Sequence, residues 1–273
     1  MTTLVRALTP AEIPAAMRIQ EAAGWNQTET DWRNLLKLAP ETCFGVECGG
    51  VLAATATAVC YGRRLAWIGM VLTDPAHRRR GFARRLLQHA IEMLTARQVE
   101  WIKLDATEMG APLYREFGFE PECGIERWGA TAGPPPGIPD LTWREQPAVL
   151  DRQAFGADRS ELLATLAPLG AAAVGDGYAM ARPGSQAAYF GPCVSRRAET
   201  AEGLLAWFLA RHPREPVCWD LLPSNSEAVR LARAAGFAPL RRLVRMVRRG
   251  VPGAAPLAHD DSQIFAIAGF EFG

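Results

Sequence analysis

The chain has 273 residues, of which 49% are hydrophobic, enough for one large core or two modest ones. Its 30 Lys and Arg nearly cancel its 29 Asp and Glu, so no global field draws it to nucleic acid or anionic lipid. No charged-then-apolar leader opens the sequence and no apolar run reaches a membrane span, so the expectation is a cytoplasmic protein without a membrane partner.

Val5 to Ala7 reads as a short strand. Thr9-Pro10-Ala11-Glu12 then starts a helix, because threonine caps, proline suits a first turn and Glu12 completes a capping box. A second helix is expected near Asp31 to Lys37, after the loop Gly24-Trp25-Asn26-Gln27. Three strands follow: Cys43 to Cys48, Val51 to Cys60 and Leu65 to Leu72, turning at Gly49-Gly50 and near Gly62-Arg63. Beyond a basic loop, Leu86, Leu87, Ala90, Ile91 and Leu94 recur at helical spacing. Trp101 to Leu104 is a strand, Pro112 to Phe117 a helix, and a strand starts at Phe119. The run Gly133-Pro134-Pro135-Pro136-Gly137 lacks backbone donors and belongs to no helix or sheet interior. It predicts a linker at 133–139 between a domain at 1–132 and another at 140–273. The six cysteines are scattered, with no C-x-x-C pair and no histidine at ligand spacing, so free buried thiols and no metal site are expected.

The segment Arg78-Arg79-Arg80-Gly81-Phe82-Ala83-Arg84 joins a strand to the long helix. A first helical turn carries amides with no intrahelical acceptor, and with the helix dipole they form a site for phosphate oxygens. Gly81 and small Ala83 let a pyrophosphate approach, and the arginines add charge. An arginine-rich cap on a solvated face would use the same residues. Further on stands Tyr114-Arg115-Glu116-Phe117-Gly118-Phe119.

Together these residues resemble the GNAT superfamily of N-acetyltransferases, whose acyl-CoA motif (Gln/Arg)-x-x-Gly-x-(Gly/Ala) reads here Arg78-x-x-Gly81-x-Ala83. The resemblance implies acetyl-CoA as cosubstrate and a small-molecule or peptide amine as acceptor. It implies that Tyr114 protonates the departing thiolate, and that the strand Met70-Val71-Leu72-Thr73 pairs with the pantetheine amides. A bulge that splays this strand is common in the family, but no residue type here announces one. The general base is open, since Trp67-Ile68-Gly69-Met70-Val71-Leu72 holds no acid. Asp105 is one candidate, equally readable as a turn or capping aspartate, and Glu108 is a weaker one. By position, Trp25, Asn26 and Gln27 are candidates for one acceptor-pocket wall, or for a plain surface loop.

The second half repeats the first. Lys103-Leu104-Asp105 before Gly118-Phe119-Glu120-Pro121 is matched by Cys218-Trp219-Asp220 before Gly236-Phe237-Ala238-Pro239. Asn225 and Ala228 also match a helical motif frequent in the superfamily. Ala232 stands where the first copy has Tyr114, and Ser195-Arg196-Arg197-Ala198-Glu199 lacks the Gly-x-Ala spacing. The pattern resembles two-domain, YitH-like GNAT proteins with a degenerate second domain. An α/β fold with two tandem GNAT-like domains follows, each a mixed sheet flanked by helices, with catalysis in the first. The alternative is a non-catalytic acyl-CoA sensor. Asp158-Arg159 reads as an ion pair or helix start. Arg241 to Arg249 reads as a strand with one solvated face rather than a nucleic-acid site, since no aromatic residue interleaves it.

Overall fold

In the first half of the chain, β1 (Thr3–Ala7), α1 (Ile13–Glu21), α2 (Glu29–Leu38), β2 (Cys43–Cys48), β3 (Val51–Tyr61) and β4 (Leu65–Thr73) lead into α3 (Phe82–Ala96), β5 (Trp101–Ala106), α4 (Ala111–Glu116) and β6 (Glu120–Thr131). The second half holds α5 (Ala148–Phe155), α6 (Ser160–Leu166), β7 (Ala171–Val174), β8 (Gly177–Arg182), β9 (Ala188–Ser195), α7 (Ala198–Arg211), β10 (Pro216–Leu221), α8 (Ser226–Ala234), β11 (Ala238–Arg249) and β12 (Ile264–Ala266). This computed structural model describes residues 3–131, 133, 141–143 and 147–273; of the expected linker 133–139, all but Gly133 lies outside them. The first helix begins with a single 3-10 turn at Pro10–Glu12, where the Glu12 carboxylate accepts from the Thr9 amide and hydroxyl.

Strand side chains alternate between faces, and the sequence exploits this. On one face Ala56 and Ala58 of β3 and Ala66 and Ile68 of β4 meet the buried stripe of α3. On the other, Val59, Tyr61, Leu65 and Trp67 join a core that also holds Trp32 and Leu35 of α2. That core continues into the second half through Leu162, Leu163 and Tyr178 and into the apolar tail through Ile267, Phe270 and Phe272.

All the described strands belong to one mixed sheet, in the order β1-β2-β3-β4-β5-β11-β6-β10-β9-β8-β7, with β12 paired to β9. The halves have exchanged strands. β11 of the second half lies against β5 of the first, and β6 of the first lies against β10 of the second. Two buried ion pairs hold the exchange. Arg245 on β11 donates to both carboxylate oxygens of Asp105 on β5, at 2.9 and 3.2 Å. Arg127 on β6 donates twice to Asp220 on β10, at 2.7 Å each. The two arginines stand at the same spacing after Gly118 and Gly236, so the pairs are equivalent in the two copies.

The arginine-rich run keeps Arg242 and Arg249 exposed, in line with its alternation, but it is not an outer strand. It is a central strand in which Arg245 is buried, Arg248 donates to the Phe117 carbonyl, and Arg249 lies over Trp101. Nor do Asp158 and Arg159 pair with each other. Arg159, buried, binds Asp151 at 2.9 Å and the Gly273 carbonyl at 2.7 Å, whereas Asp158 caps Ser160 and meets Arg152. The tail packs on β4 so closely that a Cβ at Gly69 would lie 2.7 Å from the Glu271 Cα. The cysteines of the described structure are all free, four of them buried.

Candidate active site

β4 and β5 are parallel and paired only over Leu65–Trp67 with Trp101–Lys103; beyond that they part. A bulge explains why. Thr57 pairs with Gly69 but Thr55 pairs with Leu72, which leaves one extra residue in β4. Met70 absorbs it at φ 49°, and the Thr55 hydroxyl donates to the Met70 carbonyl at 2.8 Å. The parted strands open a cleft of about 580 Å³, lined by Ile68 to Thr73 on one side and by Leu104, Asp105 and Thr107 on the other. The four strand residues expected there, Met70, Val71, Leu72 and Thr73, are all in its wall.

The basic turn closes one end of the cleft. Arg79 at φ 60° and Gly81 at φ 77° both adopt the left-handed region, and Gly81 is the N-cap of α3. Alternation of hand lets successive amides converge on one point, a concavity suited to anions. The first α3 amide with an acceptor is that of Arg85, bonded to the Gly81 carbonyl, so the amides of Phe82, Ala83 and Arg84 precede the intrahelical ladder. Arg78, Arg79, Gly81, Phe82, Ala83 and Arg84 line the cleft. Arg84 also pairs with Glu116, while Arg78 and Arg79 have no side-chain partner among the described residues. Arg80 departs from expectation: it turns away to donate to Cys48 Sγ at 3.3 Å and to cover the Phe82 ring.

Tyr114, on α4, lines the same cleft. Its ring packs edge-on against Phe119 at 6.1 Å, and its carbonyl accepts the amides of Phe117 and Phe119, closing the helix. Its hydroxyl has no partner among the described residues. Burial pushes its pKa up to about 12, because the phenolate would lose solvation that no nearby cation replaces.

The cleft is also walled by Ala22, Ala23 and Trp25 from the first half and by Arg241, Leu243 and Phe270 from the second. The exchanged β11 and the tail bring the last three, none of which the sequence assigned to a site. Their partners are more than a hundred residues away, and no local pattern records such a contact. Of the loop 24–27, Trp25 reaches the cleft but Asn26 and Gln27 do not, which corrects the acceptor-wall expectation for them. Asn26 accepts from the Gln186 and Ala187 amides at 2.9 and 3.0 Å and donates to the Ala187 carbonyl at 2.9 Å. Gln27 donates to Glu271 at 2.8 Å, and Glu271 with Asp31 binds the buried Arg182. Both residues dock the halves.

Asp105 is corrected too. Its side chain is wholly buried and both its oxygens are engaged by Arg245. Burial raises its pKa and the Arg245 guanidinium opposes the rise. The carboxylate is thus committed to Arg245 rather than presented free to the cleft. Glu108 is exposed at the rim, without an ion pair among the described residues.

In the second copy the equivalent slot is filled by the chain itself. β9 and β10 pair over Ala188–Phe190 with Val217–Trp219, and then β12 enters. It pairs with β9 on one side. On the other, the Phe265 carbonyl accepts from the Trp219 indole at 2.6 Å and the Ile267 amide donates to the Asp220 carbonyl at 3.0 Å. Asn225 caps α8 and donates to the carbonyls of Ser262 and Ile264, so it holds the insert in place. Ala232 is buried where Tyr114 stands in the first copy.

Two family models, each described as an acetyltransferase (GNAT) domain, match the chain, one over residues 4–121 and one over 148–266. The uncharacterized N-acetyltransferase YitH of Bacillus subtilis strain 168 is 33% identical over 111 residues, 38% of this chain and 39% of that protein. The match thus spans about two fifths of the curated relative's length. A putative acetyltransferase from Pyrococcus horikoshii superposes with a TM-score of 0.87 at 21% identity, covering 99% of this chain and 96% of the other. A GCN5-related N-acetyltransferase from Sphaerobacter thermophilus gives 0.69 at 21% identity, covering 94% and 98%. A tandem GNAT protein from the clavulanic acid biosynthesis pathway gives 0.65 at 16% identity, covering 92% and 100%. At these identities the structural likeness is one of fold.

Proposed function

The chain belongs to the GNAT acetyltransferase family, in its two-domain form, and from that premise we propose that it moves an acetyl group from acetyl-CoA to an amine by direct attack in a ternary complex. One observation carries this reading: the unpaired amides at the start of α3 and the free hydroxyl of Tyr114 line a single cleft of about 580 Å³. The amides of Phe82 to Arg84, with Arg78 and Arg79, hold the diphosphate. The backbone of Met70 to Thr73 pairs with the pantetheine amides, as an added strand would. This places the thioester near Tyr114 and leaves the Trp25–Arg241 wall for the acceptor.

The amine nitrogen bonds to the thioester carbonyl carbon, the carbon–sulfur bond breaks, and Tyr114 gives its proton to the sulfur. Burial raises the proton affinity of a thiolate as it does that of a phenolate, so donor and acceptor stay matched. Asp105, held by Arg245, takes no part. The amine's proton leaves to water at the rim, where Glu108 is exposed. The testing experiment is release of CoA thiol from acetyl-CoA across a panel of amines. Thiol release with an amine supports the reading; binding of acetyl-CoA without release for any amine indicates the sensor instead.

Two further outcomes are expected. Gly81→Leu should weaken acetyl-CoA binding at least tenfold by titration calorimetry, an effect of about 1.4 kcal/mol or more, because it forces a side chain into a left-handed residue at the anion site. A Cβ there meets no protein atom within 4 Å, so the cost to the fold is that of the left-handed backbone rather than of a clash at the Cβ. The same calorimetry on the wild type should give one acetyl-CoA per chain, since β12 occupies the second slot. A stoichiometry of two would mean that the insert is displaced.

A further inference from the structure

Arg241 enters the cleft from β11, a strand of the second half. In the strand order β4-β5-β11 it lies just beyond the end of β5, since β11 pairs with β5 only from Val244 onward. It is half-buried, and no carboxylate pairs with it among the described residues. Its cross-strand neighbour is Arg127, a like charge. The nearby Asp220 is already saturated by Arg127 through two bonds of 2.7 Å. Burial, with the charge of Arg127 second, pulls its pKa below the usual guanidinium value. A partly desolvated cation facing an open cleft is costly until an anion meets it.

The surroundings describe the rest of the ligand. Trp25, whose ring centre lies 5.9 Å from the Arg241 guanidinium carbon, Leu243 and Phe270 make an apolar wall. A surface groove of about 470 Å³ adjoins, lined by Thr107, Glu108, Met109, Arg241 and Arg242. Arg242 is engaged by Glu126 at 3.0 Å, so Glu108 and Arg241 are the uncommitted charges of that groove, one of each sign.

Resting on the proposed acetyl transfer, we propose that the acceptor is an amine bearing a carboxylate, of the α-amino-acid class, with Arg241 binding its carboxylate. Glu108, exposed at the rim, attracts the incoming ammonium, which gives one proton to water there before the neutral amine reaches the thioester, and the wall of Trp25, Leu243 and Phe270 receives an apolar side chain. The degenerate half then sets acceptor specificity, since β11 delivers the selecting charge to a cleft whose chemistry belongs to the first half.

The test compares alanine, leucine and phenylalanine, each beside its amide, as acceptors for the full-length chain with acetyl-CoA. A prior calorimetric titration with acetyl-CoA separates the two readings: no binding there sinks the proposed acetyl transfer rather than the acceptor class. With binding established, at least one acid should exceed its amide in kcat/KM by about tenfold or more, the scale of a charge-assisted hydrogen bond. Arg241→Gln should bring that ratio to about one, and Arg241→Lys should retain part of it, with acetyl-CoA affinity unchanged in both. Equal rates for acids and amides, or no measurable rate with any of the six, would overturn the proposal. So would weaker acetyl-CoA binding in Arg241→Gln, which would return the residue to the cosubstrate.

Discussion

Replacing Tyr114 with phenylalanine should lower kcat by about a hundredfold or more while leaving acetyl-CoA affinity within about twofold. The ring does the packing: it sits against Phe119 inside the core of the first half, and phenylalanine retains that contact. Only the hydroxyl is lost, and it has no hydrogen-bond partner among the described residues that its removal would strand. A structural role would therefore register as a fall in stability, whereas a proton-donating role registers in turnover alone. The pH profile separates them further. The protonated phenol is the active form, and its pKa is pushed up to about 12. The donor is thus present throughout the neutral range and is lost only as pH rises through that value, so no alkaline fall in kcat from this group is expected below about pH 10. Unchanged turnover in Tyr114→Phe would remove the residue from the mechanism.

Asp105→Asn should destabilise the chain by about 3–5 kcal/mol in urea unfolding, and Arg245→Ala by a similar amount. Each substitution leaves one buried partner with a charge or dipole that nothing answers. Arg245 is 4% exposed and stacks its guanidinium 4.5 Å from the Trp67 ring centre, so water cannot reach in to replace the lost carboxylate. Changing both residues to leucine should cost less than the sum of the single changes, because no orphaned ion remains. Arg127→Ala should behave like Arg245→Ala, as the two pairs hold equivalent junctions of the exchanged strands. The experiment also decides the chemistry of Asp105. Wild-type stability with lost turnover in Asp105→Asn would restore it as the general base and break the assignment made here.

Much of the fold is legible in the residues. The capping box at Thr9–Glu12, the Gly-Gly turn into β3 and the helical stripe of α3 are governed by neighbours within a few positions, and such interactions are written locally. The bulge at Met70 is not, because it arises from a register shift against β3 rather than from a residue type. Asp105 shows the same limit. Read alone it is a carboxylate near a cleft. Its partner comes from β11, and the identity of that partner turns a candidate base into a fastener.

The internal repeat, the arginine-glycine turn and the tyrosine before Gly118-Phe119 were determined by the sequence itself, since each is a short-range pattern whose chemistry depends on its own spacing. Tertiary structure alone decided that the halves trade strands, that β12 fills the second slot, and that Arg241, Leu243 and Phe270 complete the first cleft. Strand pairing is a contest among backbones that all offer the same hydrogen-bonding groups. Which backbone wins is settled by packing and buried charge between residues far apart in the chain, and no window of neighbouring residues contains that information.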